Sequence, residues 1–310
     1  MDLTKYGPYR TPQEIYEHFR RTLDGAPNVE ELRVGESVRG RAIYAWGAGG
    51  GPGSPAVLFM SGCHAIEFIG LEQNAAIVEK LVRERAELLD KVRVWFLPVM
   101  NPDGHYRVRE LIARHRIPLV KTNANRVDLN RNFPVGFYEP HKGGIMAGSH
   151  RKLINYHGPS PISEPESKAL ESLVDKARPE LALALHSFGG CIRFPPCHTK
   201  EKAPDHDLLA SIASGMAARQ KTPYEVGPEH ELYLTYGDIS DWLYFDKKVL
   251  PFLMEIGKIG IKKTPPHSWY NIFMWTNPPD AAAETANNTD ACLHLIERAA
   301  SGARSATKRN

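Results

Sequence analysis

Three short apolar runs constrain the fold of this 310-residue chain more than any other feature. The runs are residues 56–60, 181–185 and 249–254. Apolar runs of this length without charged residues are typical of strands that are buried on both faces. Such strands need a covering layer on each side, so the runs predict a largely parallel sheet between two layers of helices.

Helical patterns alternate with these runs. Thr11-Pro12-Gln13-Glu14 predicts a helix start with a capping box, and Ile15, Phe19 and Leu23 then form one apolar stripe. Further helices are predicted at 71–89, 105–116, 163–178, 205–220 and 279–301, and further strands at 29–35, 39–46 and 92–99. The alternation predicts a single α/β domain over residues 1–310, with a mixed, mostly parallel central sheet and helices on both faces.

Three segments outside this alternation are predicted to be turns or loops. Residues 47–55 are rich in glycine, but no Gly-Lys-Ser/Thr follows, so a turn between strands is favoured over a phosphate loop. Asn101-Pro102-Asp103-Gly104 has the composition of a turn. Residues 133–161 lack periodicity, and a loop of this length inside a compact domain is usually functional.

Charge and cysteine content exclude several classes of protein. Lysine and arginine total 39 against 36 acidic residues, a balance that argues against nucleic acid or an anionic membrane as partner. No apolar run approaches the roughly 18 residues of a membrane span. The four cysteines show no zinc-type CxxC spacing, and the first ten residues carry no secretory pattern. We therefore expect a cytoplasmic protein with reduced thiols, of undetermined oligomeric state.

Metal-binding side chains follow two of the apolar runs. His64 and Glu67 come shortly after the first run, and His186 directly follows the second. In open α/β sheets ligands bind at the carboxyl ends of the strands. Two histidines and a glutamate form the ligand set of many catalytic zinc sites, which keep a fourth position open for water. The alternatives are a solvated pair for His64 and Glu67 and a hydrogen-bonded core histidine for His186.

Four further side chains are candidates for catalysis or substrate binding. Glu255 directly follows the third apolar run and can act as general base beside a metal-activated water; the alternative is a salt bridge at the rim of the sheet. Arg131 can clamp a carboxylate with help from Asn130, or it can be held by Asp128 or another acid for structure alone. Tyr233 lies in a predicted mobile loop near Gly237, and its alternative is a plain surface position.

Taken in order, these segments resemble the zinc carboxypeptidase family, the metallocarboxypeptidases related to pancreatic carboxypeptidases A and B, and a bacterial-type member in particular. The shared motifs are Gly35-Glu36-Ser37 with Gly40-Arg41, Gly62-Cys63-His64 with Glu67, Asn101-Pro102-Asp103-Gly104, Asp128 to Phe133, Ser163-Glu164-Pro165-Glu166, Leu185-His186-Ser187, Asp241-Trp242 and Glu255. In the family the catalytic glutamate follows the aspartate of the Asp-Trp pair by fourteen residues, as Glu255 follows Asp241 here. The loop tyrosine precedes the same aspartate by eight residues, as Tyr233 precedes Asp241.

The resemblance implies one zinc ion per chain and a role for each candidate. It implies His64, Glu67 and His186 as zinc ligands. It implies Glu255 as the base that deprotonates the attacking water and returns the proton to the leaving amine. Asn130 and Arg131 are implied to bind the terminal carboxylate of the substrate, and Tyr233 to close over it. The implied substrate is a peptide or peptide-like molecule with a free carboxylate.

The chain departs from the family pattern at three places. Lys121 stands where an arginine that polarises the scissile carbonyl is expected, and Arg126 stands where a glycine is expected. Lys121 is one candidate for that cation, and Arg114 and Arg116 are the others. Ser240 precedes Asp241 at the position linked to side-chain preference, so the preferred residue stays open. The signal and activation segment of the pancreatic enzymes are not expected here.

Several functions remain open at this point. The leading hypothesis is a C-terminal metallopeptidase, and a cell-wall peptide amidohydrolase is a variant of it. The second hypothesis is an N-acyl amino acid deacylase related to aspartoacylase and succinylglutamate desuccinylase, which share a HxxE…His set and an Asn-Arg pair. The third is a carboxypeptidase-like binding module without catalysis.

Overall fold

A mixed eight-stranded sheet runs through the part of the chain that the computed structural model describes. The described residues are 9–139, 147–148, 155–258 and 272–303. The strands are β1 Glu30–Glu36, β2 Ala42–Ala48, β3 Ala56–Ser61, β4 Arg93–Leu97, β5 Leu181–His186, β6 Gly189–Phe194, β7 Glu225–Pro228 and β8 Leu250–Lys258. Their order across the sheet is β1-β2-β4-β3-β5-β8-β6-β7.

The centre of this sheet is parallel. Strands β4, β3, β5 and β8 are parallel neighbours, whereas β1–β2, β2–β4 and β6–β8 are antiparallel and β6–β7 is parallel. Every residue of β3 and β5 is buried, as expected for strands that are covered on both faces. The predicted single α/β domain with a mostly parallel mixed sheet is therefore confirmed.

Helices cover both faces. They are α1 Pro12–Leu23, α2 Ile69–Glu84, α3 Pro102–Ala113, α4 Pro165–Ala177, α5 His206–Ala217, α6 Ile239–Asp241, α7 Ile272–Thr276 and α8 Ala281–Ala300. Alternate residues of β3 enter different cores: Phe59 packs in the core that contains α1, α2, α5 and α8, and Leu58 packs with α4. A strand that is apolar at every position therefore has an apolar partner on each side.

Local sequence chemistry explains the start of α1. Thr11 Oγ1 accepts a hydrogen bond from the Glu14 backbone N–H at 3.1 Å, and Thr11 N–H donates to Glu14 Oε2 at 2.7 Å. This is the predicted capping box, which satisfies two backbone donors that the helix itself leaves unpaired. Ile15, Phe19 and Leu23 face the core, as the stripe predicted.

The predicted turn at residues 101–104 is wrong. Asn101 is instead the N-cap of α3, because its Oδ1 accepts a hydrogen bond from Gly104 N–H at 2.9 Å, and Pro102 is the first helical residue. Asparagine followed by proline suits both a turn and a helix start. The residues after Gly104 decide between them, and here they continue the helix to Ala113.

Strands β6 and β7 have no counterpart in the sequence-based prediction, and they change the position of Glu255. Strand β8 continues past Glu255 to Lys258, because β6 pairs with it antiparallel and places Cys191 opposite Glu255. Glu255 therefore lies inside a strand and not at its end. Of the predicted functional loop, residues 140–146 and 149–154 lie outside the described residues.

All four cysteines are buried and free, in agreement with the expected absence of a disulfide framework. Among the described helices, none has the length and apolar character needed to cross a membrane. The cytoplasmic location stays a prediction.

Replacing Gly70 tests how closely α2 packs against β5. A Cβ atom at Gly70 would lie 2.7 Å from the carbonyl oxygen of Leu185, a backbone atom that cannot rotate away. We expect Gly70→Ala to lower the free energy of unfolding by about 1–3 kcal/mol, measured by urea denaturation. Gly51→Ala is the control, since no heavy atom lies within 4 Å of its Cβ position. Equal stability of both variants would contradict this packing.

Candidate active site

His64, Glu67 and His186 converge at the carboxyl ends of β3 and β5. His64 Nδ1 lies 2.9 Å from Glu67 Oε1, and His186 Nδ1 lies 2.9 Å from Glu67 Oε2. The two Nδ1 atoms are 3.1 Å apart. One ligand atom from each residue lies within 4.8 Å of the others, and all three side chains are buried. The structure thus brings together the three residues that the sequence singled out.

The parallel pairing of β3 with β5 is the reason for this convergence. Ser61, the last residue of β3, pairs with Leu185, so the segment after β3 and His186 leave the sheet side by side. Asn74 of α2 donates to Ser61 Oγ at 3.0 Å and ties the helix to the end of β3. Glu67, just before α2, is carried back over the edge of the sheet by this packing.

The charges of the three side chains depend on one another. Burial raises the pKa of Glu67, but the charges and hydrogen bonds of His64 and His186 outweigh it, so the pKa is lowered overall. Burial lowers the pKa of His64, yet the carboxylates of Glu67 and Asp128 raise it overall. Glu67 is therefore an ionised carboxylate, the form that binds a metal ion.

Asp128 supports this group from outside, a role that the sequence analysis did not assign. Its Oδ1 lies 3.1 Å from His64 Nε2, and its Oδ2 lies 2.8 Å from Lys121 Nζ. A carboxylate on the second ring nitrogen fixes the orientation of a metal-binding histidine. Asp128 begins the Asp-Leu-Asn-Arg-Asn-Phe motif, which can be recognised in the sequence. Its contact with His64, 64 positions away, cannot be read from the sequence.

Glu255 is placed beside His186 by the pairing of β8 with β5, in which the two residues are direct neighbours. Withdrawal from water raises the pKa of Glu255 to about 8, and the charge of Glu67 adds to the rise. His64, Lys121 and Arg193 act in the opposite direction. No ion pair holds Glu255 in the described part of the chain, so the salt-bridge alternative finds no support there.

Arg131 and Asn130 lie next to each other in the interior. Asn130 Nδ2 donates to Asp238 Oδ2 at 2.8 Å, and Arg131 Nη1 lies 3.4 Å from the same oxygen. Arg131 is only 2% exposed and is paired with Asp238, so an acid other than Asp128 holds it, as the structural alternative allowed. A buried carboxylate that pairs with a guanidinium fixes the orientation of its planar N–H donors, the geometry that suits recognition of a carboxylate.

Tyr233 is partly exposed, with 38% of its surface accessible to solvent. Burial raises the pKa of Tyr233 overall, although the positive charges of Arg131 and Lys121 act in the opposite direction. The nearby Gly237 adopts φ +72°, and a Cβ there would lie 2.2 Å from the Arg131 carbonyl oxygen. The backbone after Tyr233 therefore passes directly against the Asn130–Arg131 pair.

Lys121 is the candidate cation that the structure brings to this site. Its Nζ contacts Asp128 Oδ2 and, at 3.2 Å, Asn155 Oδ1, and its charge lowers the pKa of Glu255. Arg114 is 65% exposed and pairs with Glu110 at 2.9 Å, and Arg116 is exposed. Arg126 adopts φ +66°, the left-handed region that favours glycine, in agreement with the local alignment on which the choice of Lys121 rests.

Comparison with known proteins identifies the family. A sequence model described as zinc carboxypeptidase matches residues 15–288, most of the chain. The chain belongs to the zinc carboxypeptidase family. It is 28% identical over 273 residues to carboxypeptidase A4 of Mus musculus, an alignment that covers 82% of this chain and 64% of that protein. The chain therefore spans less than two thirds of this relative.

Solved structures of similar fold agree with this assignment. Carboxypeptidase A from Helicoverpa armigera matches with a TM-score of 0.79 at 23% identity, over 97% of this chain and 75% of that one. The murein-tripeptide amidase from Escherichia coli O157 matches with a TM-score of 0.53 at 20% identity, over 89% and 95%. At these identities the similarity concerns the fold.

The family binds one zinc ion per chain, and the donor set of His64, Glu67 and His186 fits such an ion. Two imidazole nitrogens and a carboxylate oxygen are ligands that zinc prefers, and a three-residue set is typical of catalytic zinc. The exposed fractions of His64, Glu67 and His186 are 6%, 7% and 2%, so the donors lie in a sheltered site. The zinc cofactor expected from the sequence is thereby confirmed at the level of the family.

Asp128→Asn tests the support that Asp128 gives to His64. An amide is a weaker acceptor than a carboxylate, so the imidazole is less firmly oriented and less basic. We expect the zinc affinity to fall about 10- to 100-fold, measured by competition with a chelator, while circular dichroism shows an intact fold. Asp175→Asn, a change of an exposed aspartate on α4, is the matched control. An unchanged affinity would rule out the support.

Proposed function

We propose that the protein is a zinc-dependent carboxypeptidase, which removes the C-terminal residue from a peptide or peptide-like substrate. The observation that carries the proposal is the position of Arg131, a buried cation, next to the metal-type donor set. Asp128 joins the two, since its Oδ1 lies 3.1 Å from His64 Nε2 and its backbone carbonyl accepts a hydrogen bond from the Arg131 N–H at 3.0 Å. A buried cation in the same site would select substrates that carry a carboxylate close to the reacting bond.

The donor set would hold the zinc ion through His64 Nδ1, the Glu67 carboxylate and His186 Nδ1. When bound, zinc supplies a Lewis acid that activates water and polarises the substrate carbonyl. Glu255 would take a proton from the attacking water onto its carboxylate and then donate it to the nitrogen of the leaving amine. The water oxygen bonds to the carbonyl carbon, the C–N bond breaks, and Glu255 returns to its starting state.

The remaining candidates would orient the substrate. Arg131 and Asn130 would bind its terminal carboxylate, with Asp238 holding both side chains in place. Tyr233, at the rim, would cover the bound terminus. Lys121 Nζ would stabilise the negative charge that develops on the carbonyl oxygen, because a preorganised cation is most effective where charge appears in the transition state.

A panel of substrates separates this proposal from the other functions. The panel contains blocked dipeptides, muropeptides and N-acyl amino acids, each assayed with the zinc-loaded protein and after removal of zinc. We expect zinc-dependent release of the C-terminal amino acid from the dipeptides. Hydrolysis of muropeptides alone would favour a cell-wall amidase, and the murein-tripeptide amidase of similar fold is an enzyme of that kind. Hydrolysis of N-acyl amino acids alone would favour a deacylase, and no turnover at all would favour a binding module.

Glu255→Gln tests the general base. Glutamine has the same shape but cannot accept the proton, so we expect kcat to fall about 10²- to 10⁴-fold while the zinc content stays at one per chain. Metal analysis and dipeptide hydrolysis measure the two quantities. Glu36→Gln, at the exposed β1 edge, serves as control and should retain activity. Near-normal turnover of the Glu255 variant would remove Glu255 from the mechanism.

Amidation of the substrate tests the carboxylate clamp. A C-terminal amide cannot form the charged pair with Arg131, so kcat/KM should fall about 10- to 100-fold relative to the free acid. A second pair of substrates, with free and acetylated N-termini, should differ little, because no terminal amine is required. Equal rates on free acid and amide would contradict the proposed role of Arg131 and Asn130.

A further inference from the structure

A second cluster of buried ionisable side chains adjoins the Asn130–Arg131 pair. It consists of Cys197, Glu229 and Asp238, whose ligand-type atoms lie within 4.8 Å of one another. Their exposed fractions are 0%, 5% and 0%. Asp238 belongs to both groups, since it contacts Asn130 and Arg131, so anything that enters the cluster lies close to the proposed carboxylate clamp.

The acids of this region differ in which groups of the protein compensate their negative charges. Asp238 is paired with Arg131 and accepts hydrogen bonds from Asn130 and Ser240. Asp241 contacts His198 Nδ1 at 2.5 Å and accepts hydrogen bonds from the backbone N–H groups of Cys197 and His198. Each of these two acids is therefore balanced by a cation of the protein.

Glu229 has no such balance. It makes no ion pair with any residue that the structure describes, and its Oε2 has no hydrogen-bond partner there. The thiol of Cys197, a weak donor, is the group that hydrogen-bonds to its carboxyl. Thr235, whose N–H binds the Cys197 carbonyl, carries a second buried oxygen without a partner among the described residues, Oγ1. Glu229 Oε2 and Thr235 Oγ1 therefore lack hydrogen-bond donors among the described residues, and a ligand with N–H groups would supply them.

The energetics favour a cationic ligand. A buried carboxylate is costly unless it is paired. Burial and then the charges of Asp238 and Asp241 raise the pKa of Glu229 well above its usual range, and the Cys197 thiol and the charge of Arg131 offset only part of this rise. An ammonium or guanidinium group supplies several N–H donors and the missing positive charge, so it relieves both deficits, whereas an apolar side chain relieves neither.

We propose, resting on the proposed carboxypeptidase function, that Glu229 is a specificity-determining residue that binds a basic C-terminal side chain, lysine or arginine, of the substrate. The terminal carboxylate pairs with Arg131, and the side-chain cation of the same residue pairs with Glu229. Both charges of the substrate residue then meet an opposite charge. The acid comes from residue 229 and not from residue 240, the position that the sequence analysis considered, which is occupied by the neutral Ser240.

Isosteric substrate pairs test the preference in the wild-type, zinc-loaded protein. Blocked dipeptides ending in lysine are compared with those ending in norleucine, and arginine is compared with citrulline. We expect kcat/KM to be about 10- to 100-fold higher for the charged member of each pair. A preference for the neutral members, or no preference, overturns the proposal without any mutation that could affect folding.

Glu229→Gln assigns the preference to this side chain. The variant keeps the shape and removes the charge, so it should lose the roughly 10- to 100-fold advantage of lysine over norleucine while norleucine substrates are cleaved as before or faster. Glu231→Gln is the matched control, because Glu231 is 52% exposed and pairs with Arg193. A lysine preference that survives Glu229→Gln overturns the assignment.

Binding of the product amino acids separates failure of this inference from failure of the proposed function. Calorimetry with free lysine and free norleucine measures the pocket without any turnover. A lysine preference that Glu229→Gln abolishes supports the pocket even if no peptide is cleaved, an outcome that rejects only the peptidase function. Cleavage of peptides with equal binding of both amino acids rejects only the pocket. A second metal ion per chain, removed by Glu229→Gln, also overturns the pocket.

Discussion

The burial of one ionised carboxylate between two imidazoles organises this molecule. Glu67 can remain charged in the interior because His64 and His186 lie within 3 Å of its two oxygens. That arrangement requires two parallel strands to end side by side and a helix to return over them. The parallel centre of the sheet, the close packing of α2 and the support from Asp128 all serve this requirement. A metal ion bound between His64, Glu67 and His186 would take over part of the charge compensation that the two imidazoles give to Glu67.

Pairs of opposite charge continue outward from this centre. Asp128 is paired with Lys121, Asp238 with Arg131 and Asp241 with His198. Buried pairs of this kind contribute little net stability, since desolvation offsets the attraction, but they fix side chains in defined positions. Glu229 and Glu255 have no such partner in the described residues, and these are the two acids for which we propose contact with water or substrate.

Local patterns predicted much of the fold, because they depend on neighbouring residues. Thr11 and Glu14 cap the first helix as expected, and the uninterrupted apolar run 56–60 is a central strand. The prediction was wrong where the same residues suit two local structures. Asn101-Pro102 is common in turns and at helix starts, and here it begins a helix. The prediction also missed β6 and β7, whose pairing with distant segments stabilises strands that lack a strong local pattern of their own.

By itself the sequence indicated the side chains that we propose for the chemistry: two histidines, the acids Glu67 and Glu255, and the Asn130–Arg131 pair, in the order and spacing of one family. Only the tertiary structure decided which charges compensate one another. Asp128 supports His64 from 64 positions away, Asp238 holds Arg131 from 107 positions away, and Glu229 has no ion-pair partner among the described residues. The physical reason is that burial makes each charge depend on its neighbours in space, and those neighbours are set by strand pairing and helix packing, not by proximity in the chain.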